Sequence, residues 1–169
     1  VIVLVAAAFA EKASQAKEVI AFAKNMIDYA EEYIFLDRLA YLAAGGRLSK
    51  TGAFFGDLLH MKPVVSPAAD GARKAGVCRN QKDQEAFALK ALAKSLTPGQ
   101  NALILLEYSD NLAQVERFSA EVKNRYPQAR IIVHPLSLTS GAHMGPGTMT
   151  GGVTGTWFWA SGAFTFPGH

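Results

Sequence analysis

Residues 102–135 read ALILLEYSDNLAQVERFSAEVKNRYPQARIIVHP. Ala102 to Tyr108 is a continuous apolar run of strand length. Leu112, Val115, Phe118 and Val122 then recur at helical spacing, which predicts a helix from Leu112 to Tyr126. Arg130 to Pro135 reads as a second strand. Strand, helix and strand in this order imply a sheet layered with helices.

The same punctuation extends toward the N-terminus. Asp83 to Leu96 is helical and stops before Thr97-Pro98-Gly99. Met61 to Ser66 and Ala72 to Cys78 are two strands, with Ala69-Asp70-Gly71 as the hairpin turn between them. Leu48 to His60 reads as a helix of small and aromatic residues. Tyr33 to Leu36 is a short strand, and Asp37 stands where an N-cap would begin a helix from Arg38 to Ala44. Gly45-Gly46 ends that helix. Val19, Ile20, Ala23, Met26, Ile27 and Ala30 form an apolar stripe, predicting an amphipathic helix capped by Ser14.

The run Val1 to Ala10 is too short to cross a bilayer as a helix, and no basic residues precede it as in a secretory signal. It is expected to be a buried strand running into a helix, in a piece of a longer protein. The division expected is residues 1–30 as a connecting segment, 31–152 as the domain, and 153–169 as an aromatic, glycine-rich tail.

Half of the 169 residues are hydrophobic and 18% are charged, which excludes a disordered chain. A net charge of +3 without a basic stripe gives no reason to expect a nucleic-acid partner. The single cysteine, Cys78, excludes an internal disulfide framework and a cysteine-based zinc site. A reducing, cytoplasmic setting is expected. Every Asp, Glu, Lys and Arg lies at or before Arg130. The charge-free remainder ends in a glycine- and aromatic-rich stretch with Trp157 and Trp159, expected to be strand and turn packed inside the domain or against a missing partner.

Four places carry candidate chemistry. In Gly45-Gly46-Arg47-Leu48-Ser49, Arg47 is either a bidentate clamp for a carboxylate or phosphate, or a surface arginine after a helix stop. Lys62-Pro63 follows His60 at the start of a strand, where a lysine is ordinarily solvated. Arg79 ends a strand beside Cys78, itself either a small buried hydrophobe or a thiol next to a cation. In Ser140-Gly-Ala-His143-Met-Gly145-Pro-Gly147, one imidazole sits among glycines beyond a strand, in an expected turn with no helix after it. It is either an anion-holding or proton-moving histidine, or incidental to a turn. No Lys-Ser/Thr follows the glycines, so this is no Walker loop. His60, His134, His143 and His169 show no metal spacing, and there is no Gly-x-Ser-x-Gly nucleophile elbow.

These blocks together resemble the DegV family, fatty-acid-binding proteins that include the FakB subunits of bacterial fatty acid kinase. The resemblance runs through Phe35-Leu-Asp37-Arg-Leu-Ala-Tyr-Leu42-Ala-Ala-Gly45-Gly-Arg47-Leu-Ser49, then His60-Met-Lys62-Pro63-Val-Val, Asp70-Gly71 and Arg79. It closes at Gly141-Ala-His143-Met-Gly145-Pro-Gly147.

The resemblance implies an α/β fold: a mixed or largely antiparallel sheet with helices on both faces. It implies a fatty acid held between two domains, its acyl chain in an apolar tunnel. A separate kinase subunit would phosphorylate the carboxylate to an acyl phosphate. His143 and Arg47 would face the carboxylate, while Arg79 and Lys62 would form a basic rim or kinase-docking surface. Gly45, Gly46, Gly145 and Gly147 would shape the loops. Partners implied are a long-chain fatty acid, the kinase catalytic subunit and a missing N-terminal domain. No cofactor or metal is implied, and the chain would not be an enzyme by itself. The alternative is an enzyme domain acting on a small phosphorylated or carboxylated metabolite.

Overall fold

The computed structural model describes residues 1–13, 15–46, 61–68 and 71–154. The segment that decided the sequence reading folds as expected. Strands β4 (Leu103–Ser109) and β5 (Arg130–Pro135) pair in parallel, Leu103 opposite Arg130. Parallel neighbours need a crossover. Helix α5 (Leu112–Arg125) supplies it, burying Val115, Phe118 and Val122.

The remaining strands are β1 (Ala30–Phe35), β2 (Lys62–Ala68), β3 (Gly71–Cys78) and β6 (Thr148–Thr154). The sheet order is β3-β2-β1-β6-β4-β5, and every pairing except β4–β5 is antiparallel. The sheet is therefore mixed, as the fold expectation had it. β2 and β3 form the expected hairpin, with residues 69–70 of its turn outside the described residues.

Side chains alternate across the strands. Phe35, Val64, Ile104, Leu106 and Met149 pack beneath α4 (Gln81–Ser95) and α5. On the opposite face, Ile34 and Val65 pack with Leu42 of α3 (Leu39–Ala44). Farther along that face, Leu103 meets Val5 of α1 (Ile2–Ala10) and Phe22 and Met26 of α2 (Ala16–Ile27). Both faces carry helices.

Several local expectations change. Val1 to Ala10 is not a strand: α1 fills most of it, buries Val5 and stacks Phe9 on Phe22 with ring centroids 4.3 Å apart. A ten-residue apolar run has no period that separates strand from helix, so its packing partner decides. The apolar stripe of α2 is also rotated. Phe22 and Met26 are buried while Ile20 and Ile27 are exposed, because α1 and β4 approach from the Phe22 side. Glu18 accepts from the Gln15 backbone N–H at 3.2 Å at the start of α2; Ser14 lies outside the described residues. The residue preceding α3 is Arg38, with no side-chain cap, and Asp37 is used elsewhere. The expected helix from Leu48 to His60 lies outside the described residues.

One buried polar side chain ties helix to sheet. Gln84, 4% exposed in the first turn of α4, donates from Nε2 to the Leu36 carbonyl at 3.0 Å. The Leu36 N–H in turn donates to the Pro63 carbonyl, holding the ends of β1 and β2 together. Leaving such a carbonyl unsatisfied costs about 1–3 kcal/mol. Replacing Gln84 with Met is expected to lower the urea unfolding midpoint by a corresponding amount, measured against the unaltered chain.

Candidate functional site

The strand register brings the candidate residues to one end of the sheet. Phe35 pairs with Val64 and Met149, Ser109 with Thr148, Tyr108 with Pro135, and Lys62 with Cys78. The chain therefore leaves β1, β3, β4 and β5, and enters β2 and β6, at the same end. Asp37, Lys62, Arg79 and the Gly145–Gly147 turn all stand there.

His143 sits in a helix, not in the turn the glycines suggested. Helix α6 (Leu138–Met144) starts at Ser137, whose hydroxyl accepts from the Ser140 N–H at 3.1 Å. It ends at Gly145, with φ 80° and ψ 171°. That backbone conformation is essentially restricted to glycine. The hydroxyl cap outweighs the low helix propensity of Gly141, which made the segment read as a turn.

Helix α6 interlocks with α3 through glycines. A Cβ on Gly45 would overlap the His143 ring, lying 3.1 Å from Cγ and 3.3 Å from Cε1. A Cβ on Gly145 would overlap the Tyr41 ring, and one on Gly147 would lie 3.0 Å from Asp37 Cβ. The imidazole thus rests on bare backbone at the end of α3. It is half-buried and has no hydrogen-bond partner among the described residues. Gly46, at φ 66°, turns the chain away after α3; Arg47 lies outside the described residues.

The cations differ from one another. Lys62 Nζ is paired with Asp37 Oδ1, both side chains being only partly exposed. Asp37 also lies 3.7 Å from Arg38 Nε. Arg79 is exposed; its backbone N–H donates to Asp83 Oδ2, and its guanidinium has no ion pair among the described residues. Cys78 is buried, and burial followed by the nearby Asp83 carboxylate pushes its thiol pKa up. It is held as the neutral thiol, an inert core group.

Known proteins share this fold. The model of the DegV family, described as "Uncharacterised protein, DegV family", matches residues 1–154. The chain belongs to the DegV family. It is 30% identical over 159 residues to a DegV domain-containing protein of Clostridium perfringens, covering 86% of this chain and 52% of that one. A structure described as fatty acid binding of a DegV family protein, from Thermus thermophilus, superimposes with TM-score 0.79 at 25% identity, covering 91% of this chain and 55% of that one. The linoleic-acid-loaded fatty acid kinase B3 protein of Streptococcus pneumoniae superimposes with TM-score 0.77 at 19% identity, covering 90% and 54%. The DegV chain spans about half the length of these relatives.

Two spaces flank the central strands of the DegV sheet. Between the sheet and α4/α5 lies an apolar cavity of about 30 Å³, running from Phe35 and Met149 at the site end toward Val153. Gly151 faces it, and an added Cβ would stand in ordinary van der Waals contact, 3.6 Å from Leu106 and 4.0 Å from Phe35. On the other face, a groove of about 550 Å³ is lined by Glu32, Ser66, Arg73, Leu105, Glu107 and Thr150 among others. Glu107 accepts from the Thr150 hydroxyl at 3.0 Å. Partial desolvation, and then the Glu107 charge, raise the Glu32 pKa above the usual carboxylate range. Two carboxylates make this groove a poor seat for an anionic head group. No helix among the described residues is long and apolar enough to cross a membrane.

The raised pKa has a definite sign in stability. Folding opposes ionisation of Glu32, so the penalty is absent below the ordinary glutamate range, near about 4.3. It is fully present once pH exceeds the raised value. Glu32→Gln is expected to raise the urea midpoint at pH 7 and to leave it unchanged near pH 3.

Proposed function

We propose that this DegV chain holds a long-chain fatty acid and presents its carboxylate to a kinase subunit, which forms the acyl phosphate. The observation that carries the reading is the His143 imidazole on the glycine junction of α3 and α6, with no hydrogen-bond partner among the described residues. It sits at the end of the sheet from which the apolar cavity runs. The same fold occurs in structures described as fatty-acid-bound.

In this reading His143 donates a hydrogen bond to the carboxylate. Arg47 and the Arg79 guanidinium, which has no ion pair among the described residues, stand around the head group or dock the kinase. Lys62 contributes to the same rim with its charge shared by Asp37. The acyl chain follows the apolar side of the sheet, beneath β6. A space of about 30 Å³ is the size of one small group, so the other half of a full-length DegV protein supplies further wall. That half is also the missing N-terminal domain, with residues 31–152 as the lipid-binding domain and 1–30 as its connection. Catalysis of phosphoryl transfer belongs to the kinase subunit, and this chain needs no cofactor of its own.

The second reading, an enzyme domain for a small anionic metabolite, is favoured by the 550 Å³ groove, which is of ordinary ligand-pocket size. Its Glu32 and Glu107 carboxylates argue against an anion there. Solvent extraction of the intact protein followed by mass spectrometry separates the two readings. The expected result is a stoichiometric long-chain acid. A hydrogen bond to a charged group contributes about 1.5–3 kcal/mol, so His143→Ala is expected to weaken fatty-acid binding about tenfold or more. An empty extract, with no uptake of added fatty acid, overturns the lipid reading; a co-purified polar anion supports the second.

A further inference from the structure

The turn after His143 is anchored by a residue that no motif singles out. Asp110, at φ 60°, is the one non-glycine residue with positive φ among the described residues. It stands at the corner between β4 and α5. A left-handed backbone at a non-glycine residue persists where neighbouring groups over-determine it. Here the neighbour is Asn111. Its Oδ1 accepts from the Ser109 N–H at 3.0 Å, closing the corner. Its Nδ2 donates to the Gly147 carbonyl at 3.2 Å and to Gln114 Oε1 at 3.0 Å. The Gly147 N–H donates back to the Ser109 carbonyl at 2.6 Å. Both backbone polar groups of Gly147 are thus fixed by the β4–α5 corner.

The anchor reaches backward and forward. Gln114, 6% exposed, also accepts from Gln81 Nε2 and donates to Glu85 Oε1 at 3.3 Å, so Asn111 is braced from α4 and α5. Next to Gly147, the Thr148 hydroxyl donates to the Met144 carbonyl at 2.9 Å, tying the last turn of α6 to the start of β6. On the α3 side, the described contacts of this turn are close van der Waals approaches at Gly45, Tyr41 and Asp37. The directional bonds that set its place come from Ser109, Asn111 and Thr148.

We propose that Asn111 is a positioning residue: its amide pins Gly147 and thereby sets where α6 presents the His143 imidazole. Its consequence for lipid binding rests on the reading of His143 as the carboxylate-binding group; the positioning itself does not.

Asn111→Asp tests this with little change in volume. The aspartate keeps the acceptor for the Ser109 N–H, loses the donor to Gly147 and Gln114, and sets a charge against two acceptor oxygens. In the full-length, ligand-free protein, amide exchange at Gly147 is expected to accelerate about tenfold or more. The His143 ring resonances are expected to shift, while the Leu106 and Val122 amides keep their protection. Asn111→Ala makes the same test without the added charge if the aspartate variant does not fold.

Unchanged Gly147 exchange with unmoved His143 ring resonances overturns the proposal. So does a uniform loss of protection that includes Leu106 and Val122, which would make Asn111 a general stability element. A loosened turn with a shifted His143 and unaltered fatty-acid affinity supports the positioning role and counts against His143 as the carboxylate ligand.

Discussion

The structure depends on β6 lying between β1 and β4. Its residues Met149 to Thr154 pair with Phe35 to Ala30 on one side, and Thr148 to Thr154 pair with Ser109 to Leu103 on the other. Without it, the β1-β2-β3 meander and the β4-α5-β5 unit would be two small sheets with unpaired central edges. With it they become one sheet, and the register decides which loops meet. Met149 opposite both Phe35 and Tyr108 brings the α6 turn beside Asp37 and the β4–α5 corner. The same strand separates the apolar cavity from the acidic groove: Gly151 faces Leu106 on one side, and Gly152 faces Val1 on the other.

That division of faces is also a division of chemistry. Carboxylates on β1 and β4 point into the open groove, where burial and then the Glu107 charge raise the cost of ionising Glu32. The opposite cavity is walled by aliphatic and aromatic groups. An amphiphile with an anionic head is matched by a polar sheet end above an apolar interior, and opposed by a groove that already carries like charge. Glycine shapes the α3–α6 end of the sheet in two ways. At Gly45 it allows a ring to lie on the backbone, and at Gly145 it allows a conformation that ends α6 abruptly.

Much of this was legible in the sequence, and the failures have physical causes. The β4-α5-β5 unit, the β2–β3 hairpin and α4 follow from period and punctuation, because each makes its signal locally. The apolar run from Val1 to Ala10 fits a strand start as well as a helix, and packing against α2 and β4 selects the helix. The glycines of the Gly145–Gly147 segment signal its close packing, whereas Gly141 masks the helix that the Ser137 cap starts. Asp37 illustrates the limit: by local rules it is a good N-cap, yet its carboxylate is taken by Lys62, 25 residues away. Asn111 carries no local signal for the same reason, since its decisive bond is to Gly147, 36 residues on. Arg47 and His60 lie outside the described residues.

The most direct measurement is the set of proton contacts made by a bound, 13C-labelled long-chain fatty acid in the full-length protein, read by isotope-filtered NMR. The expected pattern is contact from the C2 protons to the His143 ring, and from the chain methylenes to Met149 and Phe118 beneath the sheet. A bound acid whose C2 protons touch no part of His143, and whose chain lies instead against Leu105 and Glu32 in the groove, contradicts it.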